Sequence, residues 1–170
     1  MRLGIFTKQV HVEKIVNYLN SIDFSDYFIS TSREEIMAYN FDIGISYCFP
    51  YILKGKELEK AKWYNFHPAL LPKYKGKYNY ADAIKDGVLS YGVALHEIDE
   101  GIDTGKLITI KKFSLTSKPI NSNELGNITH YYLFQLFKET IKRFITCKDC
   151  GGLIDWTTKK YKCSDCSGYC

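Results

Sequence analysis

Short apolar runs of strand length alternate along this chain with stretches of helical spacing, and that alternation constrains its fold more than any other feature. Residues 2–7 (RLGIFT) read as a buried strand, after which Val12, Ile15, Val16 and Leu19 recur at helical spacing to about Asn20. A Ser- and Asp-rich turn over 21–26 leads to a second strand over 27–31. Ser32 is placed to cap a small helix over 33–39, with Glu34 and Glu35 in its first turn. Residues 41–49 (FDIGISYCF) form a third strand ended by Pro50, 52–60 a short helix, and 62–66 a fourth strand. Asn79 is placed to cap a helix over 80–86 that Gly87 stops. Strands over 91–98 and 106–113 follow. Ser122 is expected to cap the longest helix, 123–145, whose stripe is Leu125, Ile128, Tyr132, Leu136, Phe137, Ile141 and Phe144. Such alternation predicts an α/β fold around a mostly parallel sheet. Sheets of this kind place ligand sites beyond the carboxyl ends of their strands, where residues 49–51 and 65–67 fall.

The chain's 170 residues suffice for one domain and little more. Hydrophobic residues at 45% and charged residues at 25% exclude disorder. A net charge of +4 tolerates anionic ligands but is no nucleic-acid signature. The opening MRLGIFTKQV carries too short an apolar run for a signal peptide, and no later segment approaches membrane-spanning length. The expectation is a cytoplasmic protein with no membrane partner.

Polar chemistry concentrates between Trp63 and Gly105. Asn65 and His67 sit two apart, so an extended chain points them to one side, and Pro68, Pro72 and Gly76 shape the exit. His96 and Asp103 follow, the latter between Gly101 and Gly105. Taken singly, each has a structural explanation: a turn, a satisfied histidine, a polar loop. Together, amide, imidazole and carboxylate form a set suited to acyl-type chemistry. The imidazole handles a proton, the carboxylate orients it, and the amide donates to an oxyanion.

The segments NFHPALLPKYKG and VALHEIDEGIDTG resemble, in order and spacing, the formyltransferases that use N10-formyltetrahydrofolate; the likeness covers roughly residues 42–113. It implies a Rossmann-like formyltransferase core and formyl transfer to a primary amine, with Asn65, His67 and Asp103 as the catalytic triplet. It also implies a folate site formed by Phe49, Pro50, Tyr51, Ile52, His96, Asp99, Gly101 and Asp103. Within that family, glycinamide ribonucleotide enzymes carry a glycine-bearing phosphate loop after the first strand, where this chain reads FTKQVHVEK. Methionyl-tRNA enzymes carry a further tRNA-binding domain, and no stretch of these residues is expected to be long enough to form one. SYCFPYIL is most similar to the nucleotide-sugar enzymes, which makes a nucleotide-linked amino sugar the expected acceptor. Lys73, Lys75 and Lys77 interleave with Tyr74 and Tyr78, suited to a diphosphate and a base, or simply to a solvated basic loop. The chain before Asn65 is about one strand–helix unit shorter than in most relatives, so another small amine stays open. Hydrolysis of the formylfolate is a further alternative. Cys48 is expected to be a small buried hydrophobe.

Five of the six cysteines lie between Cys147 and Cys170. Cys147-x-x-Cys150 and Cys163-x-x-Cys166 form two matching knuckles with twelve residues between them, each with a nearby glycine. A structural zinc ribbon is expected over 147–170, beside a catalytic domain over 1–146, because four thiolates leave no open position on the ion. Iron or a redox pair are the alternatives, and Cys170 is spare. The tail has four lysines against three aspartates, a net of +1, too weak to track phosphates. Leu153, Trp156 and Tyr161 suit packing on the main domain or on a second copy, so a stabilising or dimerising appendage is expected. The rival outside enzymes is a nucleic-acid-binding ribbon on a relic fold.

Overall fold

A computed structural model describes residues 2–77, 79–119 and 121–144, together with the backbone of 154–155 and 162–163. Six strands form one sheet in the order β2-β1-β3-β4-β5-β6. They are β1 (Leu3–Thr7), β2 (Tyr27–Ser30), β3 (Ile43–Tyr47), β4 (Lys62–His67), β5 (Ser90–Glu97) and β6 (Leu107–Ser114). The pairs β1–β2, β1–β3 and β3–β4 are parallel, whereas β4–β5 and β5–β6 are antiparallel. Only β5 therefore runs against the other five. The sheet is mixed because the link between β5 and β6 is too short for a crossover helix.

Among the described residues five helices pack around it: α1 (Gln9–Ser21), α2 (Glu35–Ala38), α3 (Lys56–Glu59), α4 (Asn79–Lys85) and α5 (Ser122–Thr140), the last continued by a 3-10 turn over Ile141–Phe144. Strand alternation splits the sheet into two faces. One face, with Ile5, Ile45, Tyr47 and Phe66, is covered by Ile15 and Leu19 of α1 and Leu133 and Phe137 of α5. The ring of Phe137 lies 5.2 Å from Phe66 and 5.5 Å from Tyr47. The other face carries a smaller cluster of Phe6, Ile36, Phe41, Leu53 and Trp63. Trp63 lies over Gly44, where a Cβ would sit 2.2 Å from the indole, so the third strand needs glycine there.

The element order matches the sequence reading, and the caps differ from it. Asn121, not Ser122, caps α5, its side chain accepting from the Glu124 N–H. Ser32 does not cap α2; its hydroxyl binds the Glu34 carboxylate, and Glu34 itself is already helical in backbone. Asn79 is the first residue of α4, and its Nδ2 donates back to the Gly76 carbonyl. The buried stripe of α5 is Leu125, Gly126, Thr129, Leu133, Leu136, Phe137 and Thr140, with Ile128 and Tyr132 at its margin. Counting apolar residues finds Leu125, Leu136, Phe137, Ile141 and Phe144, all buried, but misses Gly126, Thr129, Leu133 and Thr140. Thr129 and Thr140 can be buried because each hydroxyl donates 2.7 Å to a carbonyl one turn back.

Of the proposed ribbon, Cys147, Cys150, Cys166 and Cys170 lie outside the described residues. Cys163 lies on β8 (Lys162–Cys163), which pairs antiparallel with β7 (Ile154–Asp155) and places Cys163 opposite Ile154. Among the described residues no helix is long and apolar enough to cross a membrane.

Candidate functional site

Register brings the first polar cluster together. Ser46 of β3 is aligned with Asn65 of β4, and Asn65 with His96 of β5, so all three side chains emerge on the face of the smaller cluster. His67, two residues beyond Asn65, joins them. Asp103 arrives from the loop between β5 and β6, with its backbone at a φ of 52°, a left-handed conformation that costs a residue with a side chain about 1 kcal/mol or more. Gly105 lets that loop fold back, since a Cβ there would lie 1.9 Å from the Glu97 carbonyl oxygen.

The hydrogen bonds define who donates to whom. The Ser46 hydroxyl donates to Asn65 Oδ1 at 2.9 Å, which directs Asn65 Nδ2 the other way. That nitrogen lies 3.1 Å from His96 Nε2 and 3.4 Å from Asp103 Oδ1. His96 Nδ1 is 2.6 Å from the Glu97 carbonyl, which can only accept, so Nδ1 holds the proton and Nε2 is free to accept from Asn65. Asp103 Oδ2 accepts from the Gly76 N–H at 2.7 Å and lies 3.4 Å from His67 Nδ1. His67 Nε2 donates to the Tyr74 carbonyl at 2.9 Å. Burial holds His67 below the ordinary imidazole range, although Asp103 and the Tyr74 carbonyl pull the other way. Burial would raise Asp103, but the neighbouring His96 and His67 rings and the Gly76 N–H outweigh it and hold the carboxyl at about 2. At neutral pH the resting site holds a carboxylate beside the buried His67 ring, whose charged form burial disfavours.

These residues line a cavity of about 480 Å³. Its other walls include Phe49, Pro50, Tyr51 and Ile52 after β3, and Ile98, Asp99, Gly101 and Ile102 after β5. Tyr51, Ile52 and Ile102 are large apolar side chains about half exposed, at 47%, 51% and 54%, and all face this opening. Asp99 holds its loop by accepting from Thr104 and from the Gly101 N–H. Asn79 also lines the cavity, is buried, and has an Oδ1 with no partner among the described residues.

All the residues assigned to catalysis or to the folate site from sequence therefore meet at one cavity. The basic loop does not arrive as a unit. Lys77 lines the cavity, but Lys73 pairs with Asp86 at 2.7 Å, and Lys75 is exposed elsewhere. Tyr74 is buried, donating its hydroxyl to Asp86, with its ring 5.3 Å from Tyr91. Tyr78 lies outside the described residues. An isolated alternation of Lys and Tyr cannot show that the aromatic of the pair turns into the core.

A second cluster flanks the cavity on the α1–α5 side. Cys48 follows β3 with a φ of 53°, and its Sγ lies 3.9 Å from His130 Nδ1 of α5. The His130 ring is 5.1 Å from the ring of His11 in the first turn of α1. Cys48 is thus half-buried at the cavity edge and not a plain core hydrophobe. Burial pushes its thiol up to about 12 and, with Lys14, His130 and Lys8 adding to it, holds His11 down at about 3. Burial also lowers His130. Sequence reasoning missed Ser46, Asn79, His11 and His130. Strand parity could have found Ser46, which sits level with Asn65 once the two strands are known to be neighbours.

The formyl transferase family model matches residues 21–130. A methionyl-tRNA formyltransferase of Lachnospira eligens is 33% identical over 87 residues, 50% of this chain and 28% of that protein. The human trifunctional purine biosynthetic protein adenosine-3 is 34% identical over 109 residues, 63% of this chain and 10% of that protein. The chain thus spans about a third or less of the length of these curated relatives. The crystal structure of an N-formyltransferase from Helicobacter canadensis, in complex with folinic acid and dTDP-3-aminofucose, superposes with a TM-score of 0.69. It is 26% identical, over 84% of this chain and 63% of that one.

Proposed function

Because the chain belongs to the formyl transferase family, we propose that it transfers a formyl group from N10-formyltetrahydrofolate to a primary amine, that of a nucleotide-linked amino sugar. The observation that carries this reading is the network of Asn65, His67, His96 and Asp103 at one end of a cavity whose other rim is apolar and exposed. A flat pterin suits the rim of Tyr51, Ile52 and Ile102, and the orphan Asn79 Oδ1 offers a polar anchor within reach of the opening. The folate supplies an activated formyl carbon.

The chain's own groups supply the rest. Attack by an amine generates an oxyanion and releases a proton. Asn65 Nδ2, turned away from Ser46, exchanges a resting partner for the oxyanion. His67 is neutral at rest, yet both its nitrogens face acceptors, Tyr74 carbonyl and Asp103 carboxylate. It is therefore best hydrogen-bonded as imidazolium, and takes up the proton directly or through one water. Asp103 stabilises that charge, and His96 accepts from Asn65 and holds the amide in place.

Three features support the amino-sugar acceptor: the SYCFPYIL loop, the missing glycine after β1, and Lys8 and Lys77 on the cavity wall. The Helicobacter canadensis relative was crystallised with dTDP-3-aminofucose. The test is a transfer assay with N10-formyltetrahydrofolate and a panel of dTDP- and UDP-linked amino sugars, glycinamide ribonucleotide and methionyl-tRNA. Formylation of a nucleotide sugar alone supports the proposal. Formylation of one of the other acceptors overturns the acceptor, and formate release without any amine overturns transfer itself.

We further propose that residues 147–170 form a separate four-thiolate zinc unit, on the strength of the two matched knuckles and the β7–β8 ladder that runs into the second. Elemental analysis should find zinc bound to the full chain, and Cys150→Ser should lose it. A Cys150→Ser chain that keeps the same metal content refutes the unit.

A further inference from the structure

The cluster of His11, Cys48 and His130 is not used by the chemistry above. Its three donor atoms, two imidazole nitrogens and one sulfur, lie within 4.8 Å of one another. Ligands of a tetrahedral zinc ion stand roughly 3.3–3.7 Å apart, given bond lengths of about 2.1 Å to nitrogen and 2.3 Å to sulfur. A side-chain adjustment of about 1 Å therefore closes the set. Each donor comes from a different anchored element: His11 from the first turn of α1, Cys48 from the end of β3, His130 from the middle of α5. Their positions are set by the packing of both long helices on the sheet.

We propose that His11, Cys48 and His130 bind a divalent ion of the zinc class, with the fourth position open to the cavity. One thiolate and two imidazoles make a borderline-soft donor set that excludes magnesium and calcium and favours zinc. Cys48 and His130 line the cavity whereas His11 lies behind them, so the open side of the ion faces the opening. Binding forms an S–metal bond and releases the Cys48 proton to solvent, and the thiolate offsets one of the ion's two charges. Two lysines face the cluster. Lys14 is held over the rings of Tyr47 and Phe134, at 5.3 Å and 5.2 Å, whose π faces temper its charge. Lys8 is exposed at the cavity mouth and solvated. Burial keeps both imidazoles unprotonated, so their lone pairs are available at neutral pH. The site does not depend on formyl transfer and stands or falls separately.

The experiment counts metal on the full chain. Parent, Cys48→Ser and His130→Ala proteins are loaded with Zn2+, dialysed and analysed, then titrated with Co2+. Whatever the tail holds, each variant should bind one equivalent fewer than the parent. The Co2+ difference spectrum of parent minus Cys48→Ser should show a four-coordinate ion with one thiolate charge-transfer band. Circular dichroism establishes that the variants are folded, and two variants from different elements guard against the loss of either. Equal metal content and affinity in parent and variants would overturn the proposal, as would a difference spectrum without the thiolate band.

Discussion

Two clusters of imidazoles flank one cavity, and only one of them contains a carboxylate. Around Asn65, His67 and His96, the Asp103 carboxylate lies 3.4 Å from a nitrogen of each ring, and the Ser46 hydroxyl and the Gly76 N–H satisfy the remaining acceptors. Around Cys48, His11 and His130, the charged side chains that act on the two rings among the described residues are lysines. Burial disfavours the charged ring in both places. In the first, a proton gained during reaction can be held; in the second it cannot, so the rings stay lone-pair donors. The same side chain becomes a proton carrier or a ligand according to what surrounds it.

Removing the carboxylate breaks the contrast most directly. Asp103→Asn keeps the shape but not the charge, and should lower kcat about 1,000-fold in the transfer assay, as should His67→Ala. Near-parental turnover in either would sink the assigned roles, provided circular dichroism shows the fold intact.

Acid should expose the second cluster next. The folded-state pKa of His11 is depressed, so its contribution to stability is complete above pH 6.5 and is lost as pH falls towards about 3. Asp103, held at about 2, contributes above its ordinary value near 3.8 and loses that contribution as pH falls towards 2. Denaturant melts of parent and His11→Gln should therefore converge between pH 6.5 and 3, by up to a few kcal/mol. Asp103→Asn should flatten only the lower window, by about 2 kcal/mol. A His11→Gln curve parallel to the parent's would show that the ring titrates in the folded protein as it does in the unfolded chain.

The smallest effect sharpens the first cluster. Ser46→Ala frees the Asn65 amide to turn over, and kcat should fall about tenfold with little change in KM, the loss of one oriented hydrogen bond. Restoration by Ser46→Thr would separate orientation from packing. A change in KM alone would place Ser46 in substrate binding.

Much of the first site could be read without coordinates, because Asn65 and His67 share a strand and strand parity fixes their common side. The pairing of β4 with β5 that brings His96 opposite Asn65 could not, since a strand's apolar pattern does not name its neighbour. Tyr74 shows the same limit from the other side: its place among lysines suggested an open loop, whereas its ring is buried against Tyr91.

Local periodicity, then, determined which segments are strands and helices, and the spacing of Asn65, His67 and Asp103 determined the chemistry on offer. Both are short-range properties of the chain. Tertiary structure alone decided that the strand after the polar exit runs backwards, that Ser46 orients the amide, and that His11, Cys48 and His130 converge from residues 11, 48 and 130. Those outcomes depend on which faces bury most apolar surface against each other, a sum over the whole core that no single stretch of sequence contains.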